Sequence, residues 1–190
     1  MHRFIVAVTG TPGTGKSHFA KGLSRNGTMV IEINDIVHSK RIFSGTDKFN
    51  TKIVKLGELT DSVKRVIKKN KETNIVLVGH LAPELRIRYD VAVCIRADLP
   101  LIAKRMEKRR YAKEKIRENL VSEAMDYCGL RIRDRCKEVY EVETNKEKRA
   151  IKIYLEKILA GRRARKPKMY GINKFGGLLK MIKSGNRYGL

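Results

Sequence analysis

Tryptophan and glutamine are absent from the chain, and only three of its 190 residues are cysteine. Cys94, Cys128 and Cys136 are odd in number and lack the close pairing that is typical of a cysteine metal site. A disulfide framework is therefore not indicated, and we expect reduced thiols, as in a cytosolic protein.

Apolar runs long enough to cross a membrane are also lacking, since none approaches about 18 residues. The first residues, Met1-His2-Arg3, lead directly into an apolar strand pattern and not into a signal peptide. The sequence thus predicts a soluble, cytoplasmic protein with no membrane partner.

Acidic residues are scarce relative to basic ones: 20 Asp and Glu accompany 43 Lys and Arg, for a net charge of +23. Such an excess predicts a polyanionic partner. A basic tail at 160–190 has no acidic residue and nine basic ones, which are Arg162, Arg163, Arg165, Lys166, Lys168, Lys174, Lys180, Lys183 and Arg187. Tyr170, Phe175 and Tyr188 lie among these charges, which suits RNA binding by phosphate contact and base stacking. The alternative is a solubilising extension.

The most specific motif present is Gly-Thr-Pro-Gly-Thr-Gly-Lys-Ser at 10–17, which matches the phosphate-binding loop G-x-x-x-x-G-K-[ST] at every fixed position. Its backbone at Gly13, Thr14 and Gly15 is expected to cradle phosphate oxygens, because glycine allows close approach. Lys16 is expected to reach the β and γ phosphates, and the Ser17 hydroxyl to ligate Mg²⁺. The motif therefore predicts ATP and Mg²⁺ as cofactors.

Short apolar runs alternate with helical patterns along the chain, which is typical of an α/β protein with a parallel sheet covered by helices. The predicted strands are Phe4–Val8, Met29–Ile33, Ile75–Val78, Val91–Ile95 and Val139–Glu143. The stretch 38–55 has no clear period and predicts a small mobile insertion. One helix is predicted from Lys113 to Cys128-Gly129, and a final amphipathic helix carries Ile151 to Leu159.

The order of these features resembles the nucleoside monophosphate kinases, and within them the adenylate kinase isoenzyme 6 type, which includes a coilin-interacting nuclear ATPase and a yeast ribosome-assembly factor. We expect an archaeal member. The resemblance covers about 1–159 and rests on the Gly-Thr-Pro-Gly-x-Gly-Lys loop, Asn34-Asp35, Gly79-His80, Arg96-x-Asp98, and Arg109-x-Tyr111 with Glu118-Asn119 and Glu123 following it.

This resemblance implies a P-loop NTPase fold with five parallel strands, a monophosphate-binding region at about 30–53 and a lid at about 108–118. The domain would be 1–159, followed by the tail 160–190. The implied activities are adenylate kinase and ATPase, with AMP or another nucleoside monophosphate as acceptor. The implied setting is small ribosomal subunit maturation and rRNA processing, with ribosomal protein eleven of the small subunit and rRNA as partners.

Four candidate positions follow from the resemblance, each with a simpler alternative. Arg109 would stabilise charge on the γ-phosphate, or is a solvated helix end. His80 would orient water or polarise the transferred group, or is a structural loop residue. Asp35 would support the monophosphate site or a metal-bound water, or is a helix N-cap. Asn145-Lys146 would lie near the adenine, or is a charged helix start.

Two departures from the family pattern affect the metal and the acceptor. The third strand ends Leu77-Val78-Gly79 without the usual magnesium-supporting aspartate, so Mg²⁺ would rest on Ser17, water and phosphates. His38 stands where many of these kinases have an AMP-binding arginine.

Three functions stay open: a metabolic adenylate kinase, an assembly ATPase, and a kinase for another acceptor such as a polynucleotide end.

Overall fold

The computed structural model describes residues 3–25, 27–47, 52–71, 73–168, 181, 182 and 188. The strands are β1 (Ile5–Thr9), β2 (Thr28–Glu32), β3 (Phe43–Thr46), β4 (Lys52–Val54), β5 (Asn74–Val78), β6 (Val91–Ile95) and β7 (Val139–Val142). Five of them form one sheet in the order β2-β5-β1-β6-β7, with every neighbouring pair parallel. The predicted five-stranded parallel sheet is thus confirmed.

Helices cover both faces of this sheet. They are α1 (Lys16–Lys21), α2 (Ile33–Ser39), α3 (Leu56–Lys69), α4 (Leu99–Lys108), α5 (Lys113–Ala124), α6 (Tyr127–Arg133) and α7 (Asn145–Leu159), with a 3₁₀ helix at Ala82–Glu84. One core cluster joins α1 and α7 to the sheet, and a second joins α2, α3 and α6 to the opposite face. Because both faces are covered, β6 is apolar and buried throughout.

The end of the second strand differs from the prediction. Ile33, expected in the strand, begins α2, and Glu32 occupies the N-cap position. Asn34 and Asp35 therefore lie exposed in the first turn of α2, and the N-cap alternative for Asp35 is wrong. The helix starts here because Ile33, Ile36 and Val37 pack into the core, which overrides the local capping signal.

The insertion after α2 contains an antiparallel hairpin of β3 and β4 that its sequence did not predict. Phe43 and Val54 are opposite each other in the hairpin and both pack against the α2–α3 core cluster. Lys52 lies 4.3 Å from the centre of the Phe43 ring. Tertiary contacts hold the hairpin in place. Its exposed polar residues interrupt the alternation of apolar and polar side chains by which a strand is recognised in a sequence.

The helix predicted from Lys113 to Gly129 is two helices, because the chain turns at Asp126 with a left-handed φ of 54°. Gly129 lies inside α6 and does not end a helix. A Cβ on Gly129 would lie 2.1 Å from Asp126 Oδ1, so glycine leaves room for that carboxylate.

The tail, where the structure describes it, is attached to the domain. Ala164 packs against the α1–α7 cluster, and Lys166 pairs with Glu138. Met181 and Tyr188 pack against a third cluster formed by α4 and α5, and the Tyr188 hydroxyl donates to Glu107. Tyr170 and Phe175, to which base stacking was assigned, lie outside the described residues. None of the helices formed by the described residues is long and apolar enough to span a membrane.

Candidate nucleotide site

The phosphate loop connects the carboxyl end of β1 to the first residue of α1. Gly10 has φ 133°, and a Cβ there would lie 2.3 Å from the Ile95 carbonyl oxygen, so no other residue fits without a shift. Gly13 and Gly15 also have positive φ. The Thr14 hydroxyl donates to the Thr11 carbonyl at 2.9 Å and closes the loop.

Lys16 and Ser17 occupy the first turn of α1, where the helix dipole favours an anion. The Lys16 ammonium donates to the Thr11 carbonyl oxygen at 3.0 Å. Desolvation by the protein around that ammonium lowers the pKa of Lys16. Ser17 is exposed, with its side chain available to a ligand at the helix start.

His80 follows β5 in the next loop of the same sheet edge. Desolvation, with the charges of Lys16 and Lys115, lowers the pKa of His80 to about 4. The imidazole is therefore neutral near pH 7, with one nitrogen able to accept a hydrogen bond. Lys115 of α5 also approaches Asp47 beside the hairpin at 3.9 Å, so one lysine connects α5 to the insertion.

A cavity of about 430 Å³ lies beside the phosphate loop. It is lined by Thr14, Gly15, Arg105 and Asn145, among others, and Arg105 donates to the Gly13 carbonyl at 2.8 Å. Lys146 is exposed and is not among the lining residues. Sequence reasoning missed Arg105, although its position four residues before Arg109 on one helix was a usable signal.

Arg109 lies at the C-cap of α4, one turn beyond Arg105 on the same face. Arg110 follows with a left-handed φ of 60°. Both side chains are exposed and form no hydrogen bond or ion pair with another described residue. Arg109 is thus exposed one turn from Arg105, and among the described residues it is not brought into contact with Lys16 or His80.

A network of buried charged side chains contacts the phosphate loop. Arg96, 1% exposed, donates from Nε to Glu123 Oε1 at 2.8 Å, and Thr11 donates to the other oxygen of Glu123 at 2.6 Å. Arg96 Nη1 also contacts Asp126, and lies 3.2 Å from Glu141 Oε2. Glu123 therefore links the phosphate loop, β6 and α5 through one carboxylate. Arg96 and Glu123 are family markers in the sequence, but their contact was not predicted.

A dedicated protein cage for a metal ion is not formed: no group of three or more His, Cys, Asp or Glu side chains in the described residues could hold one. Mg²⁺ commonly takes few protein ligands and is held largely by water and substrate phosphates. The exposed Ser17 hydroxyl at the start of α1 fits that mode. Asp35 lies exposed on α2 and forms no part of a metal-binding group.

The sheet order, the phosphate loop and its flanking helix define an α/β protein of the P-loop NTPase type, and residues 6–126 match the family model described as an AAA domain. A Pyrococcus furiosus protein named "Putative adenylate kinase" is 35% identical over 141 residues, covering 74% of each chain. Another protein of that name, from Methanosarcina mazei, is 31% identical over 74% of this chain and 78% of its own. The chain belongs to the family of these archaeal proteins.

The likeness to solved structures is weaker. The protein TT1252 from Thermus thermophilus aligns over 86% of this chain and 100% of its own, with 18% identity and a TM-score of 0.46.

Proposed function

We propose that the protein is an adenylate kinase that transfers the γ-phosphoryl group of ATP to AMP, and that it also hydrolyses ATP. The observation that carries the proposal is the phosphate loop with Lys16 at the start of α1, beside a cavity large enough for a nucleoside. The hairpin, whose following residue Asp47 approaches Lys115 of α5, supports a separate acceptor site at about 30–53. The family name of the relatives supports AMP as that acceptor.

Each residue of the site has one role in the proposed phosphoryl transfer. The loop amides of Gly13, Thr14 and Gly15 bind the phosphates, and Lys16 leaves the Thr11 carbonyl to neutralise their charge. Arg109 approaches the transferred group when the lid, about 108–118, closes and excludes water. His80, held neutral, accepts a hydrogen bond from the attacking group or from water. When bound at Ser17, Mg²⁺ supplies charge neutralisation between the phosphates.

One coupled assay tests the acceptor. ADP formation from ATP is measured with no acceptor and with AMP, CMP, UMP or dAMP. AMP should raise the rate most. If no monophosphate raises the rate, the kinase proposal fails and an ATPase remains. A rate raised by CMP or UMP alone would assign a different nucleoside monophosphate kinase.

Arg109 and its neighbour Arg110 allow the role of the lid arginine to be tested, with the Arg110 variant as the control. Arg109→Ala should lower the turnover rate by more than it weakens ATP binding, because a lid arginine acts on charge that develops in the transition state. Arg110→Ala removes the same exposed charge and should have a much smaller effect. Steady-state kinetics with separate kcat and KM values distinguish them. Equal losses at both positions would leave only a general basic surface.

A role in small ribosomal subunit maturation is the second part of the proposal. Its support is the net charge of +23 and the acid-free tail, neither of which a small-molecule kinase requires. In this role, lid closure on ATP and reopening after hydrolysis would release a ribosomal partner, for which ribosomal protein eleven of the small subunit and rRNA are the candidates. The two activities are compatible, since both use the same phosphate loop. A cytoplasmic location fits either.

The tail is expected to contribute to RNA binding through its phosphate contacts. Truncation is a poor test, because Ala164, Met181 and Tyr188 pack against the domain. Replacing exposed Arg162, Arg163 and Arg165 with Gln should reduce the slope of log RNA affinity against log salt by about 2, at roughly 0.7 per lost contact. ATP turnover should be unchanged. An unchanged slope would assign the tail a solubilising role.

A further inference from the structure

A second basic surface lies on the face of the sheet that α3 and α6 cover. A groove of about 490 Å³ there is lined by Asp61, Lys64, Glu84, Arg86, Arg131 and Arg135, among others. It shares no lining residue with the cavity beside the phosphate loop. We name it the α3–α6 groove. Nothing in the proposed phosphoryl transfer uses it.

Three of the four cations of the α3–α6 groove form no ion pair with a described residue, although Arg135 lies close enough to Glu84 to interact with its charge. Arg131 pairs with Glu84 at 3.1 Å, but the side chains of Lys64, Arg86 and Arg135 form no ion pair with any other described residue. The Nε of Arg135 is buried and has no hydrogen-bond acceptor among the residues described. A buried donor of this kind normally has an acceptor, such as water or an anion. Among the described residues, the groove thus has one buried donor without an acceptor, at Arg135 Nε, and two exposed cations without an ion pair.

The surface continues beyond the groove through Arg135, which also lines an adjoining depression. The other charged residues of that depression are Arg88, Lys137, Lys166, Asp90 and Glu138. The chain at 85–89 alternates, with Leu85, Ile87 and Tyr89 buried and Arg86 and Arg88 exposed. This pattern exposes both arginine side chains, whose Cα atoms are at most about 7 Å apart, although Arg88 also donates to the Asp134 carbonyl oxygen at 3.2 Å. The exposed cations therefore cover more surface than a single phosphate needs.

An aromatic ring borders the same groove. Tyr127 of α6 is 46% exposed, and its hydroxyl donates to Glu84 Oε1 at 2.9 Å, which fixes the ring at the groove edge. Exposed aromatic rings beside a row of cations suit single-stranded nucleic acid, because bases stack on the ring while cations contact phosphates.

We propose that the α3–α6 groove and its extension at Arg88, which meets the tail at Lys166, bind the phosphodiester backbone of single-stranded RNA. The preference for RNA over other polyanions rests on the proposed role in ribosomal subunit maturation. The position of the groove does not depend on that role. RNA bound here would occupy the face of the sheet opposite α1 and α7, and the protein could hold it while ATP turns over.

The test uses the full chain and a short fluorescein-labelled oligouridylate, with affinity measured over a series of salt concentrations. Arg86→Gln with Arg88→Gln should lower the slope of log affinity against log salt by about 1.4, from two contacts at roughly 0.7 each. The matched control is Lys21→Gln with Lys104→Gln, which removes two exposed charges elsewhere and should leave the slope unchanged. Circular dichroism of both variants checks folding.

Each of the following outcomes would contradict the proposal. Equal slopes for the Arg86/Arg88 variant and the unmodified protein would exclude the groove, and equal losses in both double variants would indicate only general charge attraction. Tighter binding of oligothymidylate than of oligouridylate would exclude RNA as the ligand. Polyglutamate that displaces the RNA at equal charge concentration would assign the groove to an acidic protein. ADP formation in the same variants reports the kinase separately, so failure of either proposal is recognisable.

Discussion

Replacing Lys16 with alanine should lower ATP turnover by about a hundredfold or more, because one preorganised contact to transferred charge typically contributes that much. Lys16 belongs to the phosphate loop itself, and its ammonium donates to the Thr11 carbonyl oxygen at 3.0 Å. Its lowered pKa reflects desolvation that a phosphate counter-charge would relieve. The measurement is ADP formation at saturating ATP.

The control for this prediction is Lys21→Ala, at the other end of the same helix, where the side chain is exposed. It should retain full turnover. A Lys16→Ala protein that kept more than about a tenth of its activity would contradict the assignment of the site, since electrostatic contacts of this type carry about two orders of magnitude.

Replacing Glu123 with alanine should reduce the free energy of unfolding by about 3–5 kcal/mol, the usual effect of removing one partner from a buried ion pair. Glu123 is 2% exposed, and the change removes the acceptor of Arg96 Nε and of the Thr11 hydroxyl together. Urea unfolding of the two proteins measures the difference. Glu123→Gln keeps an acceptor oxygen and should be less destabilising.

An exposed ion pair supplies the comparison. Glu58 lies 3.0 Å from Lys55, and both side chains are about half exposed. Glu58→Ala should change the free energy of unfolding by about 0–1 kcal/mol, because solvent screens such pairs. Similar losses for Glu58→Ala and Glu123→Ala would show that the buried network does not stabilise the fold.

The parts of the fold that sequence predicted are those with a strong local signal. Ile75–Val78 and Val91–Ile95 are continuous apolar runs, and both are buried strands. The phosphate loop is defined by glycines at positions that require positive φ or close approach, as at Gly10. Local chemistry alone determines these features.

Features that depend on distant contacts were not predicted. The turn at Asp126 has neither glycine nor proline, and its carboxylate instead contacts Arg96, 30 positions away in sequence. The hairpin has a Phe-Ser-Gly-Thr strand whose anchoring residues are recognisable only once α3 is in place. Of the nucleotide site, the loop was predictable, whereas the contact of Arg105 with Gly13 and of Glu123 with Thr11 was not.

The network around Arg96 also limits how this protein can change during evolution. One arginine is shared by acids from three elements: Glu123 of α5, Asp126 at the start of α6 and Glu141 of β7. Losing the arginine alone would leave the buried carboxylate of Glu123 without its counter-charge, whereas Asp126 and Glu141 would still pair with Arg133. Arg96 and Glu123 are therefore expected to change together. A lineage that exchanged the network for apolar residues would also have to find a new anchor for Thr11, and with it for the phosphate loop.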